Sequence, residues 1–440
     1  MSEAATAFHT LCYDDGWVGP DWPEATQLRD DPAALEVATA EQLAGLLTLL
    51  VRGEHFCDGT LQEAFDRGLL TGITRRAKVL AGARKPRRAL SARDRARGCM
   101  LGGAVGDALG ADIEFDNLAD IRRRFGPAGI RDFVPAYGVM GAITDDTQMA
   151  LFTAEGLLRS AVRFANDGTC DPVPVVHHAY LRWLKTQCED LNRPAVEVGM
   201  DGWLVGLRKL WARRAPGGTC LSALRASTHL GQPAHNDSKG CGTVMRIAPV
   251  GIALPVDHVF DTAAEVSRLT HGHPTAALSA AFFAVLIAEI MKGATLPDAI
   301  EAAKRPLLSH PDHTETVRAI EAAQALADGW EASAETVERL GGGWVAEEAL
   351  AIALYAVLAT SSFEDAIILA VNHSGDSDST GAIAGNIAGA LYGVKAIPTR
   401  WLKPLELHEE IMAVADDLLA LRQGKLDAQN DAVRQRYPGW

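Results

Sequence analysis

The sequence predicts an all-α fold, on three observations. Ala- and Leu-rich segments recur at helical spacing through most of the chain, short breaks with Gly, Pro, His or Asp separate them, and alternating strand patterns are scarce. With 440 residues the chain can bury more core than a single domain needs. A large domain with a smaller N-terminal extension is expected, divided into residues 1–90 and 91–440.

The extension opens on a turn-rich aromatic stretch (Tyr13, Trp17, Trp22) and continues into helical patterning over Ala40 to Val51 and Leu61 to Leu70. Ten Lys or Arg against a single acidic residue, Asp94, follow between Arg75 and Arg97. A solvated linker explains such a run, and a docking surface for an acidic partner is the sharper alternative. Ser91 followed by Asp94 forms a capping box that opens the second domain. Helices are then expected over 148–163, 175–187, 201–214, 261–269, 275–292, 297–304, 314–328, 345–359, 364–371, 381–391 and 406–423.

Bulk properties narrow the function. Hydrophobic residues at 48% and charged residues at 22% describe a folded soluble protein. A net charge of −14 argues against a general nucleic-acid binder, which needs surplus Lys and Arg. Seven scattered cysteines without a C-x-x-C pair, and an N-terminus with no apolar core to a leader, fit a reducing cytoplasm. Apolar stretches such as Ala280 to Ala288 fall short of the roughly 20 residues of a membrane span, so no membrane association is expected.

Four clusters set charge or glycine beside apolar helices. The first is Gly98-Cys-Met-Leu-Gly-Gly-Ala-Val-Gly-Asp107-Ala-Leu-Gly110, with Glu114 after it. Its glycines 102, 106 and 110 recur once per turn and permit close helix contact. In the second, Thr144-Asp145-Asp146-Thr147, two adjacent carboxylates repel unless a cation sits near them, and such hard oxygen donors suit magnesium. Helix capping accounts for one of them but not for both.

The third cluster, Ser238-Lys-Gly240-Cys-Gly242-Thr243-Val-Met-Arg246, offers backbone N–H groups to a phosphate, or is a turn before a buried helix. The fourth, Asn372-His-Ser374-Gly375-Asp376-Ser-Asp378-Ser379-Thr380, forms a second hard-cation half-site. An EF-hand would need Glu where Ile387 stands. A haloacid-dehalogenase-type nucleophile loop would need an apolar strand entering Asp376 and a longer domain beyond it. His271 and His273 suit helix capping or loop hydrogen bonds better than a magnesium site.

Taken in order, G-D-A-L-G with a following Glu, T-D-D-T-x-M, G-x-x-M-R-I-A-P-x-G and G-D-x-D-[ST]-x-G resemble the ADP-ribosylglycohydrolase family, which includes the dinitrogenase-reductase-activating glycohydrolases. The similarity runs from about Arg97 to at least Gly393. It implies an all-helical domain holding two Mg2+, with Mn2+ able to substitute. Thr144, Asp145, Asp146, Asp376, Asp378 and Ser379 are the implied metal ligands, and Glu114 the acidic residue beside the pair.

The implied activity is hydrolysis of the glycosidic bond between ADP-ribose and a modified protein side chain, arginine in the first instance, with serine left open. Asp378 or Asp146 would serve as the base, with Glu114 as rival. Backbone groups at Gly240, Gly242, Thr243, Ser374 and Gly375 would meet the diphosphate. Tyr392 is offered for stacking on adenine, against a plain core role. Two departures stand out: Ser379 replaces a common Thr and keeps the hydroxyl, and Ser374 replaces a common Gly, which puts its phosphate contact in doubt. An N-terminal extension on such a hydrolase also looks like bacterial immunity proteins that counter ADP-ribosylating toxins, so a cognate ADP-ribosyltransferase toxin is the partner expected for residues 1–90.

Overall fold

A computed structural model describes residues 25–56, 59–82, 90–187, 198–329 and 332–439. The aromatic opening and residues 83–89 of the basic stretch lie outside the described residues. The chain divides into two compact units, Met1–Ala89 and Leu90–Trp440.

The first unit consists of helices Ala25–Asp30, Pro32–Val37, Ala40–Phe56, Thr60–Asp66 and Leu69–Gly82. Thr39 and Gln42 start the longest by a reciprocal capping box, Gln42 N–H to Thr39 Oγ1 at 3.2 Å and Thr39 N–H to Gln42 Oε1 at 2.8 Å. Leu43, Leu46, Leu47 and Leu50 recur every three to four residues along that helix and bury against Leu61, Ala64, Leu69 and Ile73. Patterning expected as one helix over 61–70 is broken at Gly68, whose φ of 70° ends one helix before the next begins.

Among its described residues the second unit is helical, with a hairpin of two two-residue strands, Pro135–Ala136 paired with Val139–Met140. Its turn, Tyr137-Gly138, has positive φ at both positions, 50° and 75°, as a two-residue hairpin turn requires. Ser91 caps helix Ala92–Gly110 by accepting from Asp94 N–H at 3.0 Å. Helices Pro274–Lys292 and Ala346–Ala359 are apolar on every face and occupy the centre of the core. The former is long and apolar enough to cross a membrane, yet its side chains are buried within the protein.

The packing that shapes the site is a seam between helices Ala92–Gly110 and Ser377–Tyr392, which run antiparallel. A Cβ on Gly98 would stand 2.2 Å from Gly389 O, one on Gly102 2.3 Å from Gly385 O, and one on Gly106 1.9 Å from Gly381 O. Glycine alone lets the two backbones approach so closely. The seam brings Asp107, near the end of one helix, beside Asp378, at the start of the other.

One expected helix is absent. Residues 201–214 form two single 3-10 turns, Leu204–Gly206 and Arg208–Leu210, joined by irregular chain. Gly202, at φ 90°, breaks the helical path. Farther on, carbonyls turn to other partners: Ala212 O accepts from Gln148 Nε2 at 3.0 Å, and Arg214 O from Asp145 N–H at 3.2 Å.

Candidate active site

Six carboxylates converge at one end of the glycine seam. Asp107 and Glu114 come from the end of helix Ala92–Gly110 and the turn after it. Asp145 and Asp146 form the first turn of helix Asp145–Asp167, and Asp376 and Asp378 the start of helix Ser377–Tyr392. All six are buried. Oxygens of Glu114, Asp376 and Asp378 lie within 4.8 Å of one another, an arrangement able to hold a metal ion.

Local structure explains each placement. Thr144 caps its helix by accepting from Asp146 N–H at 3.3 Å, which turns both aspartates inward on one helical end. Asp107 fixes that end, accepting from Thr144 N–H at 3.0 Å and Thr147 N–H at 3.1 Å as well as from the Thr147 hydroxyl. Asp145 Oδ2 accepts from Gly217 N–H at 3.3 Å. On the facing side, Asp376 N–H donates to Gly342 O at 2.8 Å, and Asp378 Oδ1 accepts from Ser379 N–H at 2.9 Å. Ser379 Oγ faces the sulfurs of Cys241 and Met245 at 3.6 and 3.7 Å.

Burial pushes Asp145, Asp146 and Asp376 well above the usual carboxylate range, and the charge of Asp378 pushes them further. Glu114 is raised for the same two reasons. Crowding so many carboxylates away from water is costly unless protons or cations neutralise them. Glu114 Oε2 and Asp146 Oδ2 have no hydrogen-bond partner among the described residues. An all-oxygen donor set with two orphaned oxygens fits hard divalent cations.

Other predicted residues fall into different places. Thr243 is buried and its hydroxyl donates to Ala276 O at 3.0 Å, so only its backbone is left for a ligand. Gly240 precedes and Gly242 lies within a single 3-10 turn, Cys241–Thr243, that packs on His271 and Cys220. Ser374 Oγ donates to Glu338 at 2.5 Å and accepts from Leu118 N–H at 2.9 Å, commitments that hold the loop rather than face a phosphate. Gly375, at φ 146°, packs so tightly on Gly342 O that a Cβ would stand 2.0 Å from it.

Tyr392 is not brought to the site. It ends the helix that Asp378 begins, about 21 Å along the axis at 1.5 Å per residue, and packs half-buried against the core. His273 caps helix Pro274–Lys292 by accepting from Thr275 N–H at 3.1 Å, and His271 bonds to Thr270 Oγ1 at 2.8 Å, both loop roles.

Two residues of the site escaped the sequence reading. Asp107 was visible only as part of a glycine-spaced motif, although a carboxylate on an otherwise apolar helical face was a usable signal. Cys241 donates its thiol to Asp376 Oδ2 at 2.7 Å, and no pattern in the sequence pairs them.

Known proteins are similar to this chain over most of its second unit. Residues 88–428 match the family model described as ADP-ribosylglycohydrolase, and residues 1–83 match a family of unknown function. The ADP-ribosyl-dinitrogen-reductase glycohydrolase of Rhodospirillum rubrum is 30% identical over 344 residues, covering 75% of this chain and 97% of that protein. The ADP-ribosylarginine hydrolase Tri1 of Pseudomonas putida is 28% identical, covering 76% of this chain and 81% of the relative. A solved structure titled as an ADP-ribosylglycohydrolase-related protein complex superposes with a TM-score of 0.56 at 30% identity, covering 76% of this chain and 99% of its own.

Proposed function

The chain belongs to the ADP-ribosylglycohydrolase family, and from that membership we propose that it hydrolyses the glycosidic bond between ADP-ribose and a modified arginine side chain of a protein, reversing mono-ADP-ribosylation. The observation that carries this reading is the buried carboxylate cluster with its orphaned oxygens on Glu114 and Asp146. Two magnesium ions, replaceable by manganese, would be held by Thr144, Asp145, Asp146, Asp376, Asp378 and Ser379. When bound they would supply positive charge for the ribose hydroxyls and lower the pKa of a water.

The chain's own groups do the rest. Glu114 would offer its unpartnered buried oxygen to substrate or water. Asp146 or Asp378 takes the proton from the attacking water, with Glu114 as the rival, and the departing guanidine nitrogen is protonated in turn; Asp378 Oδ1 is held by Ser379 N–H. As the bond to the anomeric carbon breaks, positive charge grows on the ribose, and the surrounding carboxylates stabilise it. Arginine as acceptor is supported by the likeness to a relative named as an ADP-ribosylarginine hydrolase.

The test is release of ADP-ribose from an arginine-modified protein with and without magnesium. Asp145→Ala and Asp376→Ala are expected to abolish release. Full activity of both variants, or in excess EDTA, would overturn the proposal.

A second role is favoured by the separate first unit, which has its own core and its own family match. In this reading residues 1–90 bind and occlude an ADP-ribosylating toxin while the hydrolase repairs its targets.

A further inference from the structure

Two exposed aromatic side chains lie next in the chain to, or bonded through backbone to, the acidic cluster. Phe115 is 75% exposed and Trp344 45% exposed, and their rings stack with centroids 5.8 Å apart and planes 19° from parallel. Two exposed rings stacked side by side form a flat apolar surface open to a ligand.

Both rings are anchored to the metal-binding loops by adjacent backbone. Phe115 directly follows Glu114, whose carboxylate lies with Asp376 and Asp378. Trp344 O accepts from Cys241 N–H at 3.1 Å, and the Cys241 thiol reaches Asp376. Gly342 O accepts from Asp376 N–H, while a Cβ on Gly343 would crowd the Thr380 methyl and stand 3.4 Å from Asp376 Cβ. Two chain segments that reach the acidic centre therefore bring their aromatic rings together as one wall beside it.

Building on the hydrolase reading above, we propose that Phe115 and Trp344 are specificity-determining residues that stack on the planar guanidinium of the acceptor arginine while its ribosyl bond lies over the carboxylates. Two features favour that occupant. The wall adjoins the residues that would hold the ribose, and the acceptor is the group bonded to the reacting carbon. A guanidinium is flat, delocalised and weakly hydrated, and it stacks on aromatic faces as a serine oxygen cannot.

The experiment compares three ligands on the full chain with magnesium: free ADP-ribose, an arginine-linked ADP-ribosyl peptide and a serine-linked one. KM is read where the ligand is turned over and Kd where it is not. Phe115→Ala and Trp344→Ala are expected to weaken the arginine-linked peptide about tenfold each, the scale of a stacked cation. Free ADP-ribose and the serine-linked peptide should be unaffected, and Phe115→Tyr and Trp344→Phe should restore the loss.

Weakening of free ADP-ribose in step would assign the wall to the nucleotide and overturn the proposal. Equal loss on both peptides, or no loss at all, would do the same. If the wild type releases ADP-ribose from neither peptide, the hydrolase reading fails, while the Kd difference between the arginine-linked peptide and free ADP-ribose still decides what the wall binds.

Discussion

Asp107 is fully buried and spends its oxygens on the capping end of helix Asp145–Asp167, so its effect on the site passes through Thr144 and Thr147. It is a positioning residue. Asp107→Asn is expected to keep the fold but to let the Thr144–Asp146 turn drift, weakening magnesium affinity by about 10–100-fold, the usual cost of losing a supporting carboxylate. A magnesium titration of activity measures this, and an unchanged midpoint would refute it. The acidic pairs were legible in the sequence because like charges side by side need an explanation. Asp107 and Cys241 were not legible, because each matters through a partner brought near only by folding.

The same carboxylates predict a linked pH effect. Burial and the charge of Asp378 raise the folded-state pKa values of Asp145, Asp146 and Asp376. A carboxyl raised in this way favours the folded state while protonated, so the metal-free protein loses stability as pH rises from about 4 towards neutrality. A bound divalent cation removes that penalty. Magnesium should therefore raise Tm more at about pH 7.5 than at about pH 5, relative to EDTA at each pH, in thermal melts. Equal shifts at the two pH values would count against a carboxylate cation site.

Among the elements, the glycine seam decides whether the half-sites meet. Glycine spacing was visible on both helices in the sequence, but that each lies on the other was not, since periodicity says which face is bare and not what covers it. Gly106→Ala places a methyl group where Gly381 O stands 1.9 Å away, and backbone cannot yield as a side chain can. A loss of about 2–3 kcal/mol in urea unfolding is expected, the upper part of the overpacking range. Activity should fall further than stability requires, because the displaced helices carry Asp107 and Asp378. Gly218→Ala, where nothing lies within 4 Å, is the control and should be neutral. The missed helix over 201–214 teaches the converse: apolar periodicity was present, but its carbonyls serve Gln148 and Asp145, and Gly202 breaks the run.

At the scale of the whole molecule, the second unit carries every carboxylate of the site and a continuous core of its own, and its first helix has its own cap at Ser91. A chain beginning at Leu90 is therefore expected to fold and to release ADP-ribose with unchanged kcat. If the first unit instead binds a toxin, that truncated chain should lose protection against an ADP-ribosylating toxin while keeping hydrolysis. The intact Asp376→Ala chain should do the reverse, protecting by occlusion without repairing any target. Growth of toxin-exposed cells carrying each chain, read beside ADP-ribose release in vitro, separates the two contributions. Protection by the truncated chain equal to wild type, with none from intact Asp376→Ala, would assign protection to hydrolysis and leave the first unit without a neutralising role.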